Sequence, residues 1–164
     1  MTAAREAVHW DKGRFHILTD QKSLDLAAVQ YFLATASWSY GLSLPQLKKA
    51  LRNSLCFSLL ENHTQIGLAR VITDYATYAY LCDVYILEDF RGQGLGSWLI
   101  QCVLEHPKLQ GLRRISLLTH DAQAFYQPFG FSSLLQPERY MERSLAKLSS
   151  GQQEDKVSIS GINF

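Results

Sequence analysis

The stretch EDFRGQGLGSWLI, from Glu88 to Ile100, sets three glycines at alternate positions behind an arginine and ahead of an apolar run at helical spacing. If a strand ends before this turn and a helix begins after it, several backbone N–H groups are directed at one place. Glycines let phosphate oxygens approach closely, the helix N-terminus adds partial positive charge, and Arg91 can add a full charge. The stretch therefore predicts an anion site, although any one of its glycines alone would indicate only a structural turn.

Two other phosphate-binding motifs fit this stretch less well. A P-loop needs Gly-Lys-Ser/Thr after its second glycine, and no lysine follows here before Lys108. A dinucleotide fingerprint that starts at Gly92 would meet Ser97 at its third glycine, and Asp121 could then bind the ribose. Antiparallel strands are expected before the motif, however, and too few residues follow it for a six-stranded nucleotide sheet.

At these residues the sequence resembles the GNAT superfamily of acyl-CoA-dependent N-acetyltransferases. The signature of that family is Arg or Gln, two residues, Gly, one residue, and Gly or Ala. Arg91, Gly94 and Gly96 meet it, and Gly92 fills a frequent extra glycine position. Glu88 stands where the family commonly has proline.

A second stretch, THDAQAFYQPFGF, carries the same resemblance further along the chain. The Ala, Tyr and Gly-Phe spacing of the family falls on Ala122, Tyr126, Gly130 and Phe131, and Thr119 stands where the family often has asparagine. The order of expected elements matches the family from about Arg14 to Leu145. Two independent motifs at the right separation make this resemblance specific.

The resemblance implies where acetyl-CoA binds. In this family two central parallel strands splay apart, and the pantetheine arm enters the gap as a strand would. By that resemblance Val84 and Ile86 contact the cofactor through their backbones, and a backbone N–H near Ile86 polarises the thioester carbonyl. Thr119, Ala122 and Tyr126 complete the implied cofactor site. The pyrophosphate is held by the turn and the first residues of the helix: Arg91, Gly92, Gln93, Gly94, Leu95, Gly96 and Ser97.

Direct transfer from acetyl-CoA to an amine requires two groups that move protons. Tyr126 matches the usual general acid of the family, placed to protonate the leaving thiolate. Asp83 interrupts the apolar run YLCDVYIL, where a charged side chain is expected only if it has a partner or a function. It is our candidate for the general base. The alternative is an ion pair with an arginine such as Arg70. Strand alternation directs Asp83 away from the face of Val84 unless a bulge intervenes.

The acceptor site is expected at two segments that carry aromatic residues. ASWSYG lies between the first two helices, and TDYATY precedes the expected cofactor strand. Trp38, Tyr40, Tyr75 and Tyr78 could form an aromatic wall for an amine, by cation–π attraction or by packing. We expect a small-molecule or peptide amine as acceptor, and a homodimer stays open. The alternative function is a non-catalytic acetyl-CoA sensor or an interaction domain.

The elements that must position these residues follow from the periodicity of the chain. RFHILTD predicts a strand and LDLAAVQYFLATA a helix, and Ser43 can cap a second helix whose stripe is Leu44, Leu47 and Leu51. CFSLLE, QIGLARVITD and TYAYLCDVYIL predict three antiparallel strands. After the glycine turn, GSWLIQCVLEH predicts a helix, LRRISLLT a strand, DAQAFYQPF a short helix, and GFSSLL and RYMERSL two last strands.

These elements predict an α+β, GNAT-like fold. We expect a mixed, mostly antiparallel sheet of roughly six to seven strands flanked by about four helices, with a splayed central parallel pair. Residues 1–148 should form a single acetyltransferase domain. Residues 149–164 are polar and rich in Gly and Ser at first, and we expect a tail, with a late edge strand as the alternative.

Composition excludes several classes of function. The 164 residues are 47% hydrophobic, enough for one full core, and a formal net charge of +1 gives no field that would attract nucleic acid or an anionic membrane. The first residues lack the apolar core of a signal peptide, so we expect a cytoplasmic protein. Cys56, Cys82 and Cys102 are widely spaced among apolar neighbours, which indicates buried thiols and no metal site.

Overall fold

The computed structural model describes residues 7–36 and 42–145. Its strands are β1 (His9–Lys12), β2 (Phe15–Leu18), β3 (Leu55–Glu61), β4 (Thr64–Thr73), β5 (Tyr78–Ile86) and β6 (Arg114–Leu117). Its α-helices are α1 (Leu26–Thr35), α2 (Leu44–Arg52), α3 (Leu95–Glu105) and α4 (Gln123–Tyr126). The predicted order of strands and helices is confirmed from β2 to α4.

The strands form one sheet in the order β1-β2-β3-β4-β5-β6. Neighbouring strands are antiparallel, except that β5 and β6 are parallel and α3 provides the crossover between them. A crossover of this kind places the end of β5 and the start of α3 at the same edge of the sheet. The predicted α+β fold with a mostly antiparallel sheet and a parallel pair is therefore confirmed.

Helices cover both faces of the sheet because successive strand residues alternate between faces. On one face α1 and α2 bury Val29, Leu33, Leu47 and Leu51 against a cluster that includes Leu68 and Tyr85, and Phe32 stacks on Tyr85. We call this the α1/α2 face. On the other, the α3 face, Leu95, Leu99 and Val103 pack on a larger cluster that includes Phe57, Val84 and Ile86.

The second helix begins where its sequence predicts. The hydroxyl of Ser43 accepts a hydrogen bond from the N–H of Gln46, and the side chain of Gln46 accepts one from the N–H of Ser43, which is a capping box. Leu47 and Leu51 are buried as expected. Leu44 is exposed, because the first residue of the helix lies at the edge of the contact.

The two strands predicted from GFSSLL and RYMERSL are absent, since residues 130–145 contain a 3-10 turn, Pro137–Arg139, and no strand. Pro137 has no N–H for a ladder, and Leu135 and Met141 are 98% and 95% exposed. The sixth strand is instead β1, which pairs with β2 through a turn at Gly13. Its sequence, HWDK, lacks the apolar alternation that would have predicted it.

Cys56, Cys82 and Cys102 are buried thiols, as expected. Within residues 7–36 and 42–145, every helix is too short or too polar to cross a bilayer. The tail predicted for residues 149–164 lies outside the described residues, so its character and the boundary at residue 148 stay predictions.

Candidate active site

The glycine turn lies between the end of β5 and the start of α3, as its sequence predicts. A 3-10 turn, Glu88–Phe90, follows β5, and Gly94 is the N-cap of α3. Gly92 and Gly94 have φ angles of 74° and 75°, a conformation that L side chains rarely adopt. A Cβ atom added at either glycine would meet no described atom within 4 Å. Backbone conformation, and not crowding by neighbours, therefore requires glycine at both positions.

The N-terminus of α3 is suited to an anion. The N-cap, Gly94, has no side chain that could occupy the N–H groups of the first turn. The macrodipole of the helix adds partial positive charge at the same end. Arg91 adds a full charge, and its Nε donates to the carbonyl oxygen of Ile86 at 3.0 Å, which holds the guanidinium at the end of β5.

A cavity of about 150 Å³ opens at this turn. Phe90 and Phe125, which the sequence analysis did not single out, contribute its aromatic lining. Gln93 is exposed and lies outside the lining, as do Val84, Thr119, Ala122 and Tyr126. The rest of the lining consists of predicted cofactor residues: Ile86, Arg91, Gly92, Gly94, Leu95, Gly96 and Ser97.

The parallel pair separates beside this cavity. β6 pairs with β5 only from Tyr78 to Leu81, whereas β5 continues to Ile86. The N–H of Leu87 donates to Ile66 on β4 at 2.8 Å, so by alternation the N–H groups of Val84 and Ile86 face the other edge of β5. That edge is the one from which β6 has departed, and it leads to the cavity through Ile86.

Comparisons with known proteins identify the family of the chain. The family model described as "Acetyltransferase (GNAT) family" matches residues 22–131, which is most of the chain. The chain belongs to the GNAT acetyltransferase family. It is an enzyme family, and its members use acetyl-CoA.

Individual relatives agree with this family. A protein of Gibberella zeae, named "Putative acetyltransferase FG08082", is 36% identical over 136 residues, covering 69% of this chain and 76% of its own. A Xanthomonas campestris pv. campestris structure described as belonging to the GNAT family has a TM-score of 0.79 and 40% identity, covering 82% of this chain and 96% of its own. A GNAT acetyltransferase of Elizabethkingia anophelis, solved with acetyl-CoA bound, is 18% identical and shares the fold with a TM-score of 0.57, covering 80% and 88%.

Tyr126 of this GNAT acetyltransferase lies on α4 against the same face as Val84 and Ile86. It is 2% exposed, and the rings of Phe125 and Phe131 contact it edge-on at centroid distances of 5.0 and 5.6 Å. Burial raises the pKa of Tyr126, so the phenol keeps its proton at neutral pH. Just before α4, the hydroxyl of Thr119 accepts a hydrogen bond from the N–H of Ala122 at 3.1 Å.

Asp83 of the enzyme forms the ion pair that the sequence offered as the alternative to a base. Arg70 Nε donates to Asp83 Oδ2 at 2.6 Å, and the two side chains are 11% and 7% exposed. The register of β4 and β5 shifts between Leu68 and Arg70, so the bulge that the sequence left open is also present. Arg70 Nη1 reaches Ser54 Oγ at 3.0 Å, a partner that no sequence signal indicated.

The predicted aromatic wall is divided between the two faces of the sheet. Tyr75, in the turn after β4, packs against the α3 face, whereas Tyr78 lies on the other face and its hydroxyl is hydrogen-bonded to that of Ser116. Trp38 and Tyr40 lie outside the described residues. Tyr80 shares the face of Tyr78, which its position two residues later could have indicated, and burial raises its pKa to about 12.

No group of three or more His, Cys, Asp or Glu side chains within the described ranges has an arrangement that could hold a metal ion. Near the cavity and the open edge of β5, the predicted site residues offer backbone N–H groups, the charge of Arg91, and the phenol of Tyr126 on α4. These are groups for binding an anion, orienting a carbonyl and supplying a proton.

Proposed function

We propose that this GNAT acetyltransferase moves an acetyl group from acetyl-CoA to a primary amine of a small molecule or peptide by direct transfer. The observation that carries the proposal is that the cavity at the glycine turn and the unpaired edge of β5 meet at Ile86. An anion site at the glycine turn meets the open edge of β5, where backbone groups face a gap. A ligand with a pyrophosphate and an amide-bearing arm is the kind of molecule that would use both. The acetyl-CoA bound to the Elizabethkingia relative supports this choice.

The residues of the turn would bind the phosphate end of the ligand. N–H groups from Arg91 to Ser97 and the charge of Arg91 would hold the pyrophosphate, since glycines leave the backbone accessible. The backbone N–H groups of Val84 and Ile86 would hold the arm, and one of them would donate to the thioester oxygen. Thr119 and Ala122, at the start of α4, would line the other side of the gap. Acetyl-CoA, when bound, supplies the acetyl group and a thiolate leaving group.

Tyr126 would supply the proton that the thiolate gains. In the reaction a carbon–nitrogen bond forms, the carbon–sulfur bond breaks, and the amine loses the proton that the thiolate takes up. A phenol whose pKa is raised by burial holds its proton in the neutral range and can donate a hydrogen bond as negative charge develops on sulfur. The role of Asp83 as the general base stays a prediction. Its carboxylate is bound by Arg70, which makes it less available to take a proton from the amine.

The acceptor would enter on the α1/α2 face. Tyr78 lies there, and the predicted residues Trp38 and Tyr40 follow α1 in the chain, whereas Tyr75 packs on the opposite face. The near-neutral charge of the chain does not favour a strongly basic peptide over a small amine. A homodimer and a cytoplasmic location also stay predictions from the sequence.

The test is a thiol-release assay across a panel of amines. The purified protein is incubated with acetyl-CoA and, separately, with an amino acid, a polyamine, an arylalkylamine and a lysine peptide. We expect amine-dependent release of CoA and a product heavier by one acetyl group. Acetyl-CoA binding by calorimetry without transfer to any amine would instead support the sensor, and absence of binding would contradict the site itself.

A further inference from the structure

The bulge in β5 is held in a backbone conformation that needs support. Cys82 lies opposite Arg70 and Tyr85 lies opposite Leu68, so two residues of β5, Asp83 and Val84, stand against one residue of β4. Asp83 has a φ angle of 49°, in the left-handed region that is unfavourable for residues with a Cβ. Aspartate tolerates this region better than most residues do, but a single such residue inside a strand still carries strain.

The Arg70–Asp83 ion pair supplies that support. The ion pair joins two largely buried side chains, Arg70 on β4 and Asp83 on β5, at the position of the bulge. Arg70 is tied in turn to Ser54, whose hydroxyl donates to the carbonyl oxygen of Ala50 in α2 at 2.8 Å. Three contacts in series therefore connect the bulged residue to a helix end. A buried pair of this kind is strongly disfavoured if either partner is lost, because the other charge stays uncompensated.

The bulge decides which backbone groups face the gap. An extra residue reverses the alternation of every position after it, because side chains alternate with a period of two. After the bulge, Val84 and Ile86 lie on the α3 face with Leu81. Without the bulge, Val84 and Ile86 would lie on the opposite face of the sheet. The N–H groups of the residues next to them would then face the open edge of β5.

The carboxylate of Asp83 lies on the opposite side of the sheet from these residues. Its partner Arg70 stands between Cys56 and Cys82 in the register of β3, β4 and β5, and Cys56 belongs to the α1/α2 face. Val84, Ile86 and Tyr126 belong to the α3 face. The side chain of Asp83 is thus directed into an ion pair, while its backbone directs the strand.

We propose that Arg70 and Asp83, anchored on Ser54, are positioning residues that lock the bulge of β5 and thereby aim the N–H groups of Val84 and Ile86 at the thioester. This proposal rests on the proposed function. It assigns to Asp83 a role through the backbone in place of a role in proton transfer. The residue at position 83 should therefore matter through the backbone conformation that it adopts, which its carboxylate stabilises, and not through proton transfer.

Two double variants separate these roles. Arg70→Met/Asp83→Gly and Arg70→Met/Asp83→Ala both remove the charges together, which avoids an unpaired buried ion. They differ only in how readily residue 83 adopts a positive φ. We expect the single-turnover rate of the glycine variant to exceed that of the alanine variant by about tenfold, the population difference that the left-handed conformation implies. Equal rates in the two variants would overturn the proposal.

The single variant Asp83→Asn tests the same point if a double variant fails to fold. Asparagine also tolerates positive φ, and its amide oxygen can accept from Arg70 Nε. This variant leaves Arg70 without its counter-charge, so its rate and amide shifts are to be measured where unfolding shows that it is folded. We expect the pH–rate profile of this variant to keep the wild-type shape. A changed shape, with a loss of roughly 10²-fold or more in rate, would identify Asp83 as the base and overturn the proposal.

Two measurements do not depend on catalysis. Amide chemical shifts of Val84, Tyr85 and Ile86 should be close to wild type in Asp83→Asn and in the glycine variant, and altered in the alanine variant. The ratio of acetyl-CoA affinity to CoA affinity should fall in the alanine variant, because the acetyl oxygen loses its donor. If the wild type transferred acetyl to no amine, the proposed function would fail, and the amide shifts would still decide for or against the lock. Shifts unaffected by alanine would contradict it.

Discussion

The clearest prediction concerns Gly94, because the structure separates two consequences of adding a side chain there. Alanine at this position would hold a φ angle near 75°, which costs about 1–2 kcal/mol for a left-handed residue. The added Cβ would meet no described atom of the protein within 4 Å. The loss of folding stability should therefore be conformational and modest, about 2–4 °C in melting temperature per kcal/mol.

The effect on ligand binding should be separate from that loss. Gly94 lines the cavity, so we expect a Cβ there to take up space that phosphate oxygens would use. Loss of one hydrogen bond to a charged group corresponds to about 1.5–3 kcal/mol, which is roughly 10- to 100-fold in the Kd for acetyl-CoA. Gly94→Val adds a branched side chain and should reduce binding further.

Gly111→Ala is the matched control. Gly111 has a φ angle of 78°, a Cβ there would also meet no described atom within 4 Å, and the residue lies outside the cavity lining. Both alanine variants should therefore lose similar stability by thermal or urea unfolding, while only Gly94→Ala loses acetyl-CoA affinity by calorimetry. A folded Gly94→Ala protein with wild-type affinity would show that the turn is structural and that acetyl-CoA does not bind there.

Three further predictions address other residues. Tyr126→Phe keeps the buried ring and removes the hydroxyl, so single-turnover acetyl transfer should fall by roughly 10²-fold or more with little change in cofactor Kd; an unchanged rate would remove Tyr126 from the mechanism. Burial, aided by Lys108, lowers the pKa of His106 below its unfolded value. Below about pH 6.5 the unfolded chain therefore binds more protons than the folded protein, and the folding stability should fall as the pH falls through that range. His106→Asn should reduce this pH dependence in urea unfolding, and an unchanged dependence would contradict the prediction. Truncation after Leu148 should leave acetyl-CoA affinity intact, because the cavity lining ends at Phe125; a large loss would give the tail a role in the site.

The prediction for His106 rests on its surroundings at the end of α3. The side chain is 1% exposed and lies near the rings of Trp10 and Phe57. Its Nδ1 accepts from the N–H of Lys108 at 3.2 Å, and its Nε2 has no hydrogen-bond partner among the described residues. A second proton would place a full charge among aromatic rings, which is the physical reason that acid should weaken the fold.

Periodicity predicted most of the fold because most elements bury a regular stripe. The capping box at Ser43 and the alternation of β3, β4 and β5 are local signals, and the structure follows them. The prediction of two C-terminal strands was wrong because it depended on contacts that are distant in the sequence. RYMERSL is compatible with a strand in isolation, but whether it pairs depends on the edge of β6 and on Pro137. The alternation of residues in the sequence does not report either of these. β1 was missed because a short hairpin strand at a sheet edge carries no apolar alternation of its own.

The site shows the same division between local and tertiary information. The glycine turn was predictable, because glycine permits positive φ and Gly92 and Gly94 adopt it, whereas Gly96 lies within α3. The lining by Phe90 and Phe125 was not, since aromatic residues next to a motif are as often core as site. Tyr75 and Tyr78 looked like one wall in sequence, but the turn between them separates them onto opposite faces.

Asp83 shows most clearly why sequence alone left its role open. An acid in an apolar strand signals only that something compensates its burial, and a reacting amine and a buried arginine satisfy that signal equally well. The structure supplies the arginine, and it also supplies the positive φ that no alternation pattern reports. The bulge shifts the register of the N–H groups that follow it, and the Arg70–Asp83 ion pair holds the bulged residue from the other face of the sheet. The carboxylate that suggests proton transfer in the sequence is therefore, by its geometry, better suited to fixing the strand that we propose as the binding edge for the thioester.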